Sequence, residues 1–186
     1  MAPGRREKMN ATRINELATL PIPRALEALG IGTEDLARFE RFRMEASDAK
    51  GKPFRDRQGR PNIVARVRRT RKGQRSGYAS DNCSQETKGR DGSGWYVIRR
   101  AREGAQAPHT TYCSCPAQRF HAGYGNLCKH GKRLLREALD ILERGEREGP
   151  NRDIIIYDPV AILEALHAAA AQARDAGVET DEFLAA

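Results

Sequence analysis

Tryptophan occurs once in this 186-residue chain and cysteine only four times, and no run of about eighteen apolar residues exists. The missing apolar run argues against a membrane-spanning helix. The N-terminal stretch MAPGRREKMNATRINEL also lacks the apolar centre of a secretory signal. The chain therefore reads as cytoplasmic, or nuclear in a eukaryote, where four cysteines are read as reduced ligands or buried thiols and not as a disulfide framework. Other chemistry is missing too: there is no phosphate-cradling glycine loop, no nucleophile elbow and no acidic cluster suited to a two-metal nuclease. Asp153 and Asp158 flank an apolar stretch but read as a turn and a helix cap. No enzyme is expected, and no small-molecule substrate.

What the chain does have is positive charge. Its 33 Lys and Arg against 25 Asp and Glu give a formal +8, with an isoelectric point near 9.6. The charge is uneven. Arg38 to Arg75 holds fourteen basic and four acidic residues, a local +10, whereas residues 150–186 hold seven acids and two arginines, a local −5. A polyanionic partner follows as an expectation.

With 39% hydrophobic residues, a chain of this length buries one real core, so one domain with appendages is expected. Asn10 caps a helix that Pro21 stops, and Pro23 takes the first position of a second helix closed by Gly30. Thr33 caps a third, running to about Ala46 with Glu34 and Asp35 at its positive end. The Gly30-Ile31-Gly32 turn lies within LEALGIGTEDLARF, which reads as a helix-turn-helix packing unit, since an acidic first turn would repel phosphate. SDAKGKPFRDRQGRPN is rich in glycine, proline and charge and reads as a flexible basic linker. IVARVRRT, GWYVIRRA and HTTYC read as strands of a small antiparallel sheet. Leu134, Leu135, Ala138, Leu139 and Leu142 form one stripe of a helix ending near Gly145. DIIIY reads as a buried strand, and Asp158-Pro159 as cap and first residue of a last helix lined by Ile162, Leu163, Leu166 and Ala170. The expected organisation is an N-terminal helical segment (1–48), the linker (49–62), a central domain (63–147), and a strand plus acidic helix (148–186).

Three of the four cysteines and two of the four histidines crowd into YCSCPAQRFHAGYGNLCKHGKRLL, residues 112–135. Cys113-x-Cys115 and Cys128-x-His130 are two close pairs of the kind tetrahedral zinc takes. In extended chain, residues i and i+2 face the same side, so both thiolates of the first pair can reach one ion. On a helix, i and i+2 lie about 200° apart, so Cys128 must end a loop and His130 open the helix. Four protein ligands leave no position for water, which makes the site structural and the cofactor Zn2+. His121 and His109 compete with His130 as the fourth ligand, and Cys83 stands apart as a spare thiol. Ordinary buried thiols would not need this paired spacing.

Strand, C-S-C-P, loop, C-K-H and amphipathic helix together resemble the SWIM zinc finger, whose pattern is C-x-C, a variable loop, then C-x-H. The likeness covers roughly Trp95 to Leu142 and includes Tyr112 and Pro116, which often flank the first pair in that family. It implies zinc binding by Cys113, Cys115, Cys128 and His130 and contact with DNA or proteins. SWIM modules occur in chromatin-remodelling ATPases, Mutator-type transposases, recombination accessory factors and ubiquitin-ligase adaptors, but this chain carries none of their ATPase or transposase machinery. The expected fold is α+β, a small antiparallel sheet plus helix around a structural zinc, with helices at both ends.

RVRRTRKGQR supplies Arg66, Arg68, Arg69, Arg71, Lys72 and Arg75 with no acid among them, and Arg99 and Arg100 follow on the next strand. Arginine forks match phosphate geometry, so these eight are the expected nucleic-acid contacts, with DNA favoured over RNA. A solvated charged face is the plainer use of such a run. The expected function is a small zinc-stabilised nucleic-acid-binding accessory protein. The alternative is a zinc-finger adaptor docking on a larger DNA-processing or regulatory complex, through the finger or the acidic C-terminal helix.

Overall fold

The computed structural model describes residues 9–47, 51–69, 94–100, 109–112, 129–149 and 154–185, with backbone alone at 66–69, 94–100, 109–112 and 129–130. The chain opens on three helices. Asn10 is extended, and its side chain accepts the Arg13 N–H at 2.8 Å to start α1 (Ala11–Thr19), which buries Ile14, Leu17 and Ala18 along one face. α2 (Ile22–Ala28) takes Pro21 as its cap and Pro23 as its second residue, not its first; proline fits either place because first-turn N–H groups have no helical partner. Gly30 ends α2 at φ +69°, with its N–H on the Glu27 carbonyl and the Ile31 N–H on the Leu26 carbonyl at 2.9 Å each. Leu26 and Ile31 are both buried, which seals this turn with an apolar contact. α3 (Thr33–Glu45) begins one residue earlier than expected. Gly32 is its cap because the Asp35 carboxylate reaches back to the Gly32 N–H at 3.1 Å.

Four strands form one antiparallel sheet in the order β3-β2-β1-β4: β1 (Ile63–Arg69), β2 (Gly94–Arg100), β3 (His109–Tyr112) and β4 (Ile154–Ile156). The first three fall where the β-branched runs predicted them. β4 was expected beside a separate C-terminal helix; it joins the same sheet, pairing Ala65 with Ile156 and Val67 with Ile154. The register slips between Ile63 and Ala65, a bulge that breaks the alternation of faces. Ile63 turns into one apolar cluster while Val64 and Ala65 both enter the other. The freed Val64 carbonyl accepts the N–H groups of Tyr157 at 2.8 Å and Asp158 at 3.1 Å, tying β1 to the start of the next helix.

Three more helices follow in sequence: α4 (Lys129–Glu143), α5 (Pro159–Asp175) and α6 (Thr180–Ala185). α5 is the hub, packed against α1, α2, α4, α6 and β1. The stripe foreseen on α4 is fully buried, as is the stripe Ile162, Leu163, Leu166 and Ala170 on α5. Each such leucine or isoleucine contributes about 1.5–3 kcal/mol on burial. One apolar cluster draws on Ile14, Leu26, Ala65, Leu139, Ile156, Leu166 and Leu184. The N-terminal, central and C-terminal segments thus share a single core.

A second, smaller cluster joins Ala46, Phe54, Ile63, Ile155 and Tyr157, with Phe42 stacked on Tyr157 at 4.9 Å between centroids. The Arg147 guanidinium lies 4.2 Å from the Phe42 ring centre. Phe54 changes the reading of the expected linker. Buried to 6% exposure, it anchors residues 51–62 as a folded turn: its N–H bonds the Ala46 carbonyl, and its carbonyl accepts the Asn62 N–H. Inside that turn the Asp56 carboxylate accepts the N–H groups of Gln58 (2.9 Å) and Arg60 (2.8 Å) and the Arg60 Nε (2.9 Å). Desolvation pushes the Asp56 carboxyl up, but these bonds to Arg60 and Gln58 outweigh it and hold the group below its ordinary value. A depressed carboxylate stabilises the turn above its unfolded pKa, about 3.9, and loses that contribution as pH falls through the lower folded value. Acidification below about pH 4 is therefore expected to deprotect the Gln58 and Arg60 amides first, read by hydrogen exchange, with Asp56→Asn removing the dependence. Unchanged protection in the acid range would contradict this.

Candidate metal centre and basic sheet face

The proposed metal ligands follow β3 in the sequence and run into the start of α4. β3 ends at Tyr112, directly before Cys113, and α4 starts at Lys129, directly after Cys128. His130 is thus the second residue of α4, one position after Lys129, which opens the helix in place of the expected His130. Cys113, Cys115 and Cys128 lie outside the described residues, as do the rival His121 and the spare Cys83; the other rival, His109, opens β3. Among the described residues no group of three or more His, Cys, Asp or Glu could hold a metal. Three thiolates and one imidazole nonetheless suit tetrahedral Zn2+, with a summed charge of about −1 that Lys129, Lys132 and Arg133 would offset.

The helix that carries His130 is fixed in place. Beyond its leucine stripe, α4 buries Asp140, whose Oδ1 accepts the Met9 backbone N–H at 2.7 Å. Arg13 Nε donates to Glu143 Oε1 at 3.1 Å while its Nη2 donates to the Ala28 carbonyl, linking α1, α2 and α4. Lys132 Nζ sits 3.7 Å from the Phe183 ring centre, holding α6 to the first half of α4. On the other side, β3 is registered to β2 by Val97 opposite Tyr112 and Arg99 opposite Thr110.

Register also sorts the eight basic candidates. Directly opposed residues in antiparallel strands share a face, and i,i+2 neighbours follow them. Positions 63, 66, 68, 95, 97, 99, 110, 112 and 155 therefore share one face, which takes the second apolar cluster at Ile63 and Ile155. Positions 65, 67, 69, 94, 96, 98, 100, 109, 111, 154 and 156 share the other, which takes the helical layer at Ala65, Ile154 and Ile156. Arg66, Arg68 and Arg99 thus stand together. Arg69 and Arg100 belong to the opposite, helix-bearing face, and Arg71, Lys72 and Arg75 lie outside the described residues. The basic run read as one surface is split because strand alternation sends adjacent residues to opposite sides.

Much of the remaining positive charge between 38 and 75 is engaged locally. Arg43 pairs with Glu40 and Asp158, Arg55 Nη2 donates to the Met44 carbonyl at 2.9 Å, and Arg60 pairs with Asp56. Two features escaped sequence reading: Asp140, a charge set inside the apolar stripe of α4, and the ion pair that Asp158 makes besides capping α5. The first had a signal, an aspartate between Leu139 and Ile141 where the helix faces inward. The second had none, since Arg43 and Asp158 are distant in sequence.

No described helix is long and apolar enough to cross a membrane. No protein-family model, curated protein or solved structure matches the chain.

Proposed function

We propose that this chain is a small zinc-stabilised nucleic-acid-binding accessory protein of SWIM-like type, acting by binding and favouring DNA over RNA. In this reading Cys113, Cys115, Cys128 and His130 hold one structural Zn2+, in a reducing compartment, cytoplasmic or nuclear, that keeps the thiols free. The observation that supports it is the register of β1 against β2, which groups Arg66, Arg68 and Arg99 on the sheet face opposite the main apolar cluster, beside the smaller one at Ile63 and Ile155. Arginines so grouped, with the RTRKGQR segment following directly, suit a phosphate backbone.

The adaptor alternative named the acidic C-terminal helix, with its apolar stripe, as one of two docking elements. That stripe, Ile162 to Ala170 on α5, is buried within the chain's own core. Salt dependence tests the choice. Replacing Arg66, Arg68 and Arg99 with alanine is expected to weaken binding to unrelated sequences alike. The logarithmic salt slope should fall by about 0.9 for each duplex phosphate that the variant no longer neutralises. Absence of salt-sensitive binding by the wild type to any DNA or RNA at low ionic strength would leave the adaptor reading in its place.

A further inference from the structure

We infer that the sheet face opposite the helical layer takes single-stranded nucleic acid, with Trp95 and Tyr112 stacking bases and Arg66, Arg68 and Arg99 meeting phosphates. The inference rests on the nucleic-acid reading above and narrows it to unpaired strands. Its basis is a juxtaposition made by backbone register: Trp95 stands directly opposite Arg68, Tyr112 directly opposite Val97, and Arg99 two residues beyond Val97 on the same strand. Two aromatic and three basic positions therefore interleave over three adjacent strands of one face.

Spacing decides against a duplex. Positions 95 and 112 are diagonal neighbours across β2 and β3, about 7–8 Å apart. Stacked duplex bases are about 3.4 Å apart along each strand and offer no free faces. Only a strand whose bases are splayed can present one base to each aromatic, and stacking of this kind tolerates any base. The second apolar cluster takes the corner of this face at Ile63 and Ile155, directly opposite Arg99 and Arg66, so these two arginines border the cluster. The Arg68–Trp95 pair lies farther along, two residues past Arg66, which is paired with Ile155. At about 3.4 Å per residue that is roughly 7 Å beyond the cluster.

Trp95 is the only tryptophan in the chain, so its fluorescence reports this face alone. The test titrates the full, zinc-loaded protein with oligo-dT and oligo-U of about 16 nucleotides and with a duplex of equal length. A single-stranded oligomer is expected to quench the emission and to bind at least about tenfold tighter than the duplex; whichever of dT or U binds better identifies the sugar. Tyr112→Leu and Trp95→Leu, both titrated by the anisotropy of an end-labelled oligomer, should each weaken single-strand binding by about fivefold to 150-fold with an unchanged salt slope. Trp95→Phe should restore most of the affinity, which a merely structural role at that position would not predict for Tyr112→Leu as well. Arg68→Ala should lower the slope by about 0.7 while quenching persists. Equal or tighter duplex binding, binding by the wild type without quenching, or wild-type affinity in both leucine variants would overturn the stacking face and leave phosphate binding standing. No salt-sensitive binding to any of the three probes would remove both.

Discussion

Cys115→Ser is expected to purify without stoichiometric zinc and to lose order around the finger, while the helical layer stays folded. Structural zinc sites of this donor type supply apparent binding energies of about 10–16 kcal/mol that are also folding energy, so the loss of one thiolate is not a local matter. The fold limits how far it spreads. β3 is a four-residue strand with β2 as its one neighbour among the described residues, too short to persist unaided once the chain after Tyr112 loses its anchor. α4 is different, because Leu134, Leu135, Leu139 and Leu142 are buried against the rest of the helical layer and Asp140 holds the Met9 N–H. Amide exchange should therefore accelerate at Thr110 to Tyr112 and remain slow at Leu139 and Leu142. His121→Ala should keep its zinc. Elemental analysis decides the ligand set: stoichiometric zinc in Cys115→Ser, or none in wild type purified without chelator, would overturn it. Fast exchange through Leu142 would overturn the limit on spreading.

The helices were legible in the sequence because their apolar positions recur at a fixed period and their ends carry distinct chemistry. Asn10, Gly30, Gly145 and the Asp158-Pro159 pair all stand at helix ends as read. Boundaries slipped by one residue where two capping schemes competed, as when the Asp35 carboxylate reached back to Gly32 and moved the start from Thr33. α6 was missed because TDEFLA is too short for a period to register. β4 was legible as a strand but not as a sheet edge, since nothing local encodes its pairing with Ala65 and Val67. Residues 51–62 misled because composition averages over a segment, and one buried phenylalanine among eleven polar or turn-forming neighbours is enough to fold it. The basic run misled for a related reason. RVRRT counts as a cluster of charge along the chain, yet a period of two divides it between two faces, and only register tells which half lies away from the helices. The paired spacing of Cys113-Cys115 and Cys128-His130 was visible in the sequence because metal geometry is written in short intervals, while the three cysteines lie outside the described residues.

Asp158→Ala is expected to be strongly destabilising although it touches neither the proposed metal site nor the basic face. Its carboxylate does two jobs at 5% exposure: Oδ1 accepts the Ala161 N–H at 3.1 Å to cap α5, and Oδ2 pairs with Arg43 Nη1 from α3. Its own N–H meanwhile goes to the bulged Val64 carbonyl, so α3, β1 and α5 converge on this residue. Loss of a cap costs about 1 kcal/mol. Breaking a buried ion pair from one side costs about 3–5 kcal/mol, but Arg43 keeps Glu40 at 2.5 Å and is 16% exposed, which points to the lower end of that range. A total near 3–4 kcal/mol follows, or roughly 6–16 °C in Tm for a chain of this size. Asp158→Asn separates the two roles, since asparagine caps as well as aspartate but carries no charge; it should recover about 1 kcal/mol relative to alanine. Pairing it with Arg43→Met should cost less than the sum of the two single changes, because the double variant leaves no guanidinium short of its partner. Additive effects in that cycle, or an Asp158→Ala protein within about 1 kcal/mol of wild type by denaturant unfolding, would contradict this assignment.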